Sequence, residues 1–126
     1  MFAPHGTFDL SITGNLIHIK LIGSFNEQGA IRYVNEVKRL VESIGESGFK
    51  VLIEADKFEG ATPEAYQISG ELNLWLREKK IIAKAITSAS TLKSSTAIRF
   101  EPHLMAGNVA IFTTVSSAKE WLLSIK

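Results

Sequence analysis

The sequence predicts an α/β protein: a mixed sheet of about five strands with helices packed on it, in the order ββαβαβαβα. Three observations carry this. Apolar and polar residues alternate through residues 8–22 and break at Thr13-Gly14-Asn15, the period-two pattern of a β-hairpin. Ile31, Val34, Val37, Val41 and Ile44 recur at three- and four-residue spacing, the stripe of an amphipathic helix. Short apolar runs at residues 50–55, 81–87 and 109–115 are then separated by helical stretches, so those strands pair in parallel through right-handed crossovers.

Phe8, Leu10 and Ile12 lie on one face of the first strand, and Ile17, Ile19 and Leu21 on one face of the second, opposite His18 and Lys20. Gly23-Ser24-Phe25-Asn26 reads as a strand break, with Asn26 as the N-cap of the long helix and Gly45 and Gly48 as its stop. Residues 50–55 form a buried strand ending in Asp56, and a Gly-bearing loop over residues 57–61 follows. Thr62-Pro63-Glu64 opens the next helix with a capping hydroxyl, a proline where no N–H is needed, and an acid that complements the dipole. Its apolar stripe is Ala65, Ile68, Leu72, Trp75 and Leu76. Residues 92–105 look helical, with a kink or split at Pro102. A strand over residues 109–115 and a helix over residues 118–125, capped by Ser116-Ser117 and burying Trp121, Leu122 and Ile125, complete one domain spanning residues 1–126.

With 45% apolar and 21% charged residues, the composition is that of a soluble globular protein. A net charge of +1 argues against nucleic-acid binding, which calls for a basic excess. Residues 81–126 carry five Lys/Arg against two Asp/Glu, a mild bias toward an anionic ligand or surface. No cysteine is present, so disulfides, thiolate metal sites and thiol nucleophiles are excluded. The first residues lack a signal-peptide pattern and no apolar run is long enough to span a bilayer, so a cytoplasmic location is expected.

Catalytic patterns are missing. His5, His18 and His103 are too scattered to share a metal, and no serine sits in a G-x-S-x-G elbow. Asp56, Glu59 and Glu64 flank one loop, where acids are ordinarily solvated or serve the helix dipole. A non-enzymatic protein with neither metal nor cofactor is expected.

The element order, with Gly23 after the second strand, resembles the STAS fold of anti-sigma-factor antagonists and sulfate-transporter tails. The ending Val109-Ala110-Ile111-Phe112-Thr113-Thr114-Val115-Ser116-Ser117-Ala118-Lys119-Glu120-Trp121-Leu122 is similar to the SpoIIAA-like branch, in which Ala-x-x-Trp-Leu follows the last strand. The resemblance implies a regulatory protein-interaction module. Antagonists of this type carry an Asp-Ser-Ser-Gly box at the helix entry, with one serine phosphorylated by a partner kinase. Here that stretch reads Gly60-Ala61-Thr62-Pro63, which keeps one hydroxyl and loses the acid. Thr62 is thus open to two readings, an N-cap or a phosphosite.

The SpoIIAA-like fold is also similar to CRAL-TRIO domains, which hold lipids beneath a movable helix. This implies a site for a small amphiphilic ligand, or peripheral contact with the inner membrane face. Phe58, Thr62, Tyr66, Leu92, Phe100 and Leu104 are the candidate ligand-binding residues, between the helix after Thr62 and that from Leu92. Leu92, Lys93 and Arg99 are the candidate membrane contacts, because apolar residues there spread beyond one stripe and basic groups border them. The opposing reading is that Pro102 splits the helix and both pieces pack inward. A module binding an amphiphile or a membrane is the first expectation, and a protein-binding antagonist with a protein partner, switched near Thr62, is the alternative.

Overall fold

A computed structural model describes residues 3–88 and 108–125. The hairpin β1 (Thr7–Thr13) and β2 (Leu16–Phe25) leads into α1 (Glu27–Ile44). Then come β3 (Phe49–Ala61), α2 (Pro63–Glu78), β4 (Ile81–Thr87), β5 (Val109–Phe112) and α3 (Val115–Ser124). The helix expected over residues 92–105 lies outside the described residues. The five strands stand in sequence order, β1 antiparallel to β2 and all later pairs parallel.

Strand alternation sorts the side chains onto two faces. Ile17, Ile19, Val51, Ile53 and Ile86 face α1 and α2, together with Val37, Val41, Leu72 and Leu76 from those helices. Leu52, Ala83 and Ala85 face the other way, under Ala118 and Leu122 of α3. Over β1 and β2 that second face carries Asp9, Ser11 and Lys20, all exposed, which is why the hairpin alternates so cleanly.

Both ends of α1 follow their sequence signals. Asn26 Oδ1 accepts from Gly29 N at 2.9 Å and from His5 N at 2.9 Å, so the cap also ties down the segment before β1. Gly45 ends α1 with φ at 85°.

Four expectations change. The pairing of β2 with β3 continues through Gly23–Phe58 to Phe25–Ala61, so neither Gly23-Ser24 nor residues 57–61 break a strand. Two register shifts give β3 an extra residue each, and Gly23 and Gly60, at φ 80° and 108°, supply backbone that only glycine adopts freely. The last strand stops at Phe112, because Thr114 rather than Ser116-Ser117 caps α3, accepting from Ser117 N at 3.1 Å. Ile31 turns outward, 44% exposed. Trp75 is half-buried, between the ammonium groups of Lys38 and Lys79 at 5.2 and 5.3 Å from its ring. Trp121 and Ile125 are half-buried too, so Leu122 and Ala118 are what α3 buries.

Candidate functional site

The parallel strands β2, β3 and β4 end where α1 and α2 begin, the end of an α/β sheet at which ligands usually bind. The wedge between helices and sheet is filled unevenly. Toward the start of the strands, Val37, Val41, Phe49, Leu72 and Leu76 pack it solid. Toward their ends small side chains stand among larger ones: Ala30 on α1, Ala55 and Ala61 on β3, Ala65 and Ser69 on α2. A cleft of about 90 Å³ remains there.

Aromatic rings wall the cleft. Phe25 and Phe58 lie 6.1 Å apart, Phe58 and Tyr66 meet edge to face at 6.3 Å, and Tyr33 closes on Phe25 at 6.3 Å. Phe58 is brought there by the bulged continuation of β3, and Tyr66 by the first turn of α2.

Deeper in, the lining changes character. Lys84, midway along β4 and 5% exposed, donates from Nζ to Asn73 Oδ1 at 2.6 Å. Asn73, in α2, is 6% exposed. An ammonium can only donate, so this bond fixes the amide with its oxygen toward Lys84 and its nitrogen turned away. Asn73 Nδ2 finds no acceptor. A buried donor left in this state costs about 1–3 kcal/mol, so such groups are rare in a well-folded protein.

Thr62 sits beside the cleft, half-buried at the β3–α2 corner. Its Oγ1 accepts from Ala65 N at 3.1 Å, and its own N–H donates to Phe25 O at 3.0 Å. The capping geometry is thus present, worth about 1 kcal/mol. Around it Asp56, Glu59 and Glu64 are exposed.

Of the residues anticipated from sequence, Phe58 and Tyr66 line this cleft and Thr62 flanks it. Leu92, Lys93, Arg99, Phe100 and Leu104 lie outside the described residues. Asn73, Lys84 and Ser69 were not anticipated, yet each left a sign. Ala65, Ser69 and Asn73 recur every fourth residue, so they share a ridge of α2 beside its apolar stripe. Lys84 is a lone charge within the apolar run Ile81-Ile82-Ala83-Lys84-Ala85-Ile86.

On the opposite face His18 Nε2 and Glu54 Oε2 meet at 2.6 Å, both partly exposed. Among the described residues no group of three or more His, Asp or Glu is arranged to hold a metal. No described helix is long and apolar enough to cross a membrane.

No protein-family model matches this sequence, and no curated protein matches it. Solved structures do share its architecture. One is an uncharacterized protein of the DUF3478 family with a SpoIIAA-like fold, from Shewanella loihica PV-4. It superimposes with a TM-score of 0.70 at 16% identity over 97% of both chains. Another is the anti-sigma factor antagonist SpoIIAA in its unphosphorylated form, with a TM-score of 0.69 at 11% identity. That match covers 94% of this chain and 100% of the antagonist. The chain has the SpoIIAA-like fold. The matches bear on that part of the expected resemblance and not on its CRAL-TRIO part.

Proposed function

We propose that the chain is a non-enzymatic regulatory module that engages a protein partner through its β3–α2 corner. The observation that carries this reading is the superposition on an anti-sigma factor antagonist over that protein's whole length. The exposed Asp56, Lys57, Glu59 and Glu64 at the corner add a charged surface suited to reading by a partner. Thr62 supplies the one hydroxyl at the helix entry, where an added phosphate would meet the free N–H groups and positive end of the α2 dipole.

Photo-crosslinking from position 64, compared with position 20 on the open sheet face, tests this in the source cell. A discrete partner trapped from position 64 alone is expected, retained by Thr62→Ala and reduced at least tenfold by Thr62→Glu. Equal trapping from both positions overturns the interface, and equal trapping by both variants removes the switch.

A second reading, a small amphiphilic ligand, is favoured by one specific observation: the aromatic-walled cleft behind Phe58 and Tyr66. Peripheral membrane contact through Leu92, Lys93 and Arg99 belongs with it. Flotation on phosphatidylglycerol vesicles checks that contact, and a Leu92→Asp/Phe100→Asp variant that floats as well as the parent chain overturns it.

A further inference from the structure

We infer that the cleft binds a small amphiphilic carboxylate whose head group is held by Asn73 Nδ2 and Lys84 Nζ. This rests on the ligand reading of the cleft and assigns the chemistry of its occupant.

The first support is the orphaned donor. Asn73 lines the cleft, and its Nδ2 is buried without an acceptor, although the bond from Lys84 has already settled which way the amide points. A buried donor beside a hollow is completed by an acceptor placed in the hollow. The second support is the adjacent cation. Lys84 donates to the same amide at 2.6 Å and also lines the cleft, which brings a cation beside the orphaned group. A carboxylate brings acceptors only, and its charge is opposite to that of the Lys84 ammonium. A phosphate dianion would bring more charge and more oxygens than this donor pair serves. The third support is the lining above the pair. Phe25, Tyr33, Phe58 and the alanines of β3 suit a hydrocarbon body. At roughly 10–15 Å³ for each water-sized sphere, the volume suits a chain of about six to nine heavy groups. The occupant is therefore short, anionic at one end and apolar at the other.

The polarity of this arrangement runs against ordinary core design. An apolar pair at positions 73 and 84 would pack beneath α2 without leaving an unmet donor. A buried amide and ammonium together at the base of an open cleft are the expected form of a recognition element within an apolar pocket.

Calorimetric titration of the full chain with sodium hexanoate, hexanamide, hexylamine and hexyl phosphate tests the inference. Hexanoate is expected to bind one to one, at least tenfold more tightly than the other three. Asn73→Asp replaces the orphaned donor with a carboxylate beside Lys84, so it should weaken hexanoate at least tenfold while the chain keeps its circular dichroism and melting temperature. Lys84→Met should do the same through loss of the charge. Undiminished hexanoate binding in folded Asn73→Asp overturns the assigned contact. Equal or tighter binding of hexanamide or hexylamine overturns an anionic head, and tighter binding of hexyl phosphate overturns the carboxylate. If no hexyl compound binds, the ligand reading of the cleft fails with it. Binding of every hexyl compound with equal strength leaves that reading standing and removes this one.

Discussion

The two faces of the sheet solve the same packing problem differently. Under α3 the core is built from small side chains, Ala83, Ala85 and Ala118, closed around Leu52 and Leu122. Small residues let the helix come close. Under α1 and α2 one end of the strands is packed by Phe49, Leu72 and Leu76, whereas the other sets Ala55, Ala61 and Ala65 among the rings of Phe25, Tyr33, Phe58 and Tyr66. The cleft comes from this gradient of packing along one face, not from any shortage of apolar residues.

Phe49→Ala attacks the filled end of that gradient and should have the largest effect. Phe49 is fully buried, and truncating such an aromatic costs about 3–5 kcal/mol, read as a lower urea midpoint with an unchanged slope. A matched pair of insertions tests the contrast between faces. Ala85→Val forces a branched side chain into the tight layer beneath α3 and should cost about 1–3 kcal/mol. Ala61→Val points extra carbon into open space and should leave stability within about 0.5 kcal/mol. Equal costs would mean that the cleft is already closed.

Polar groups repeat the contrast. On the α3 side, Lys50 reaches from β3 to donate to Leu122 O at 2.6 Å and also to Ile125 O, capping a helix whose own last turn has no basic residue. Lys50→Met keeps the stem and removes the charge, with an expected loss of about 1–2 kcal/mol that high salt does not restore. The melting temperature at low and high ionic strength checks it.

These same features explain what the sequence disclosed. Element order was legible because its signals are local: the alternation of β1 and β2, the α1 stripe, Thr62-Pro63 at α2. The length of β3 was not. Gly23 and Gly60 are ordinary turn signals, and only the pairing of β2 with β3 shows that they lie within strands, beside bulges that carry the pairing onward. The aromatic part of the cleft was visible in Phe58 and Tyr66, which flank the α2 start. Its polar part was hidden, since Asn73 and Lys84 are eleven residues apart and meet through the packing of α2 on β4. Lys50 was hidden likewise, as its partners lie 72 and 75 residues away.

A small expected effect separates two kinds of orphan. Among the described residues, Asn73 Nδ2 and Thr87 Oγ1 are the buried side-chain atoms without a partner, one on each face of the sheet. Asn73 borders the cleft, whereas Thr87, fully buried on the α3 side of β4, does not line it. Nothing in the cleft can therefore complete the Thr87 hydroxyl, and it acts only as a desolvation cost. Valine has nearly its shape and no hydroxyl. Thr87→Val should raise the unfolding free energy by up to about 1 kcal/mol and leave hexanoate affinity unchanged. Asn73→Leu removes the orphaned donor together with the acceptor of the Lys84 bond, so it should lower both stability and that affinity. If neither substitution alters binding, the two orphans are of one kind, and the polar base of the cleft is a packing flaw like the hydroxyl on the other face.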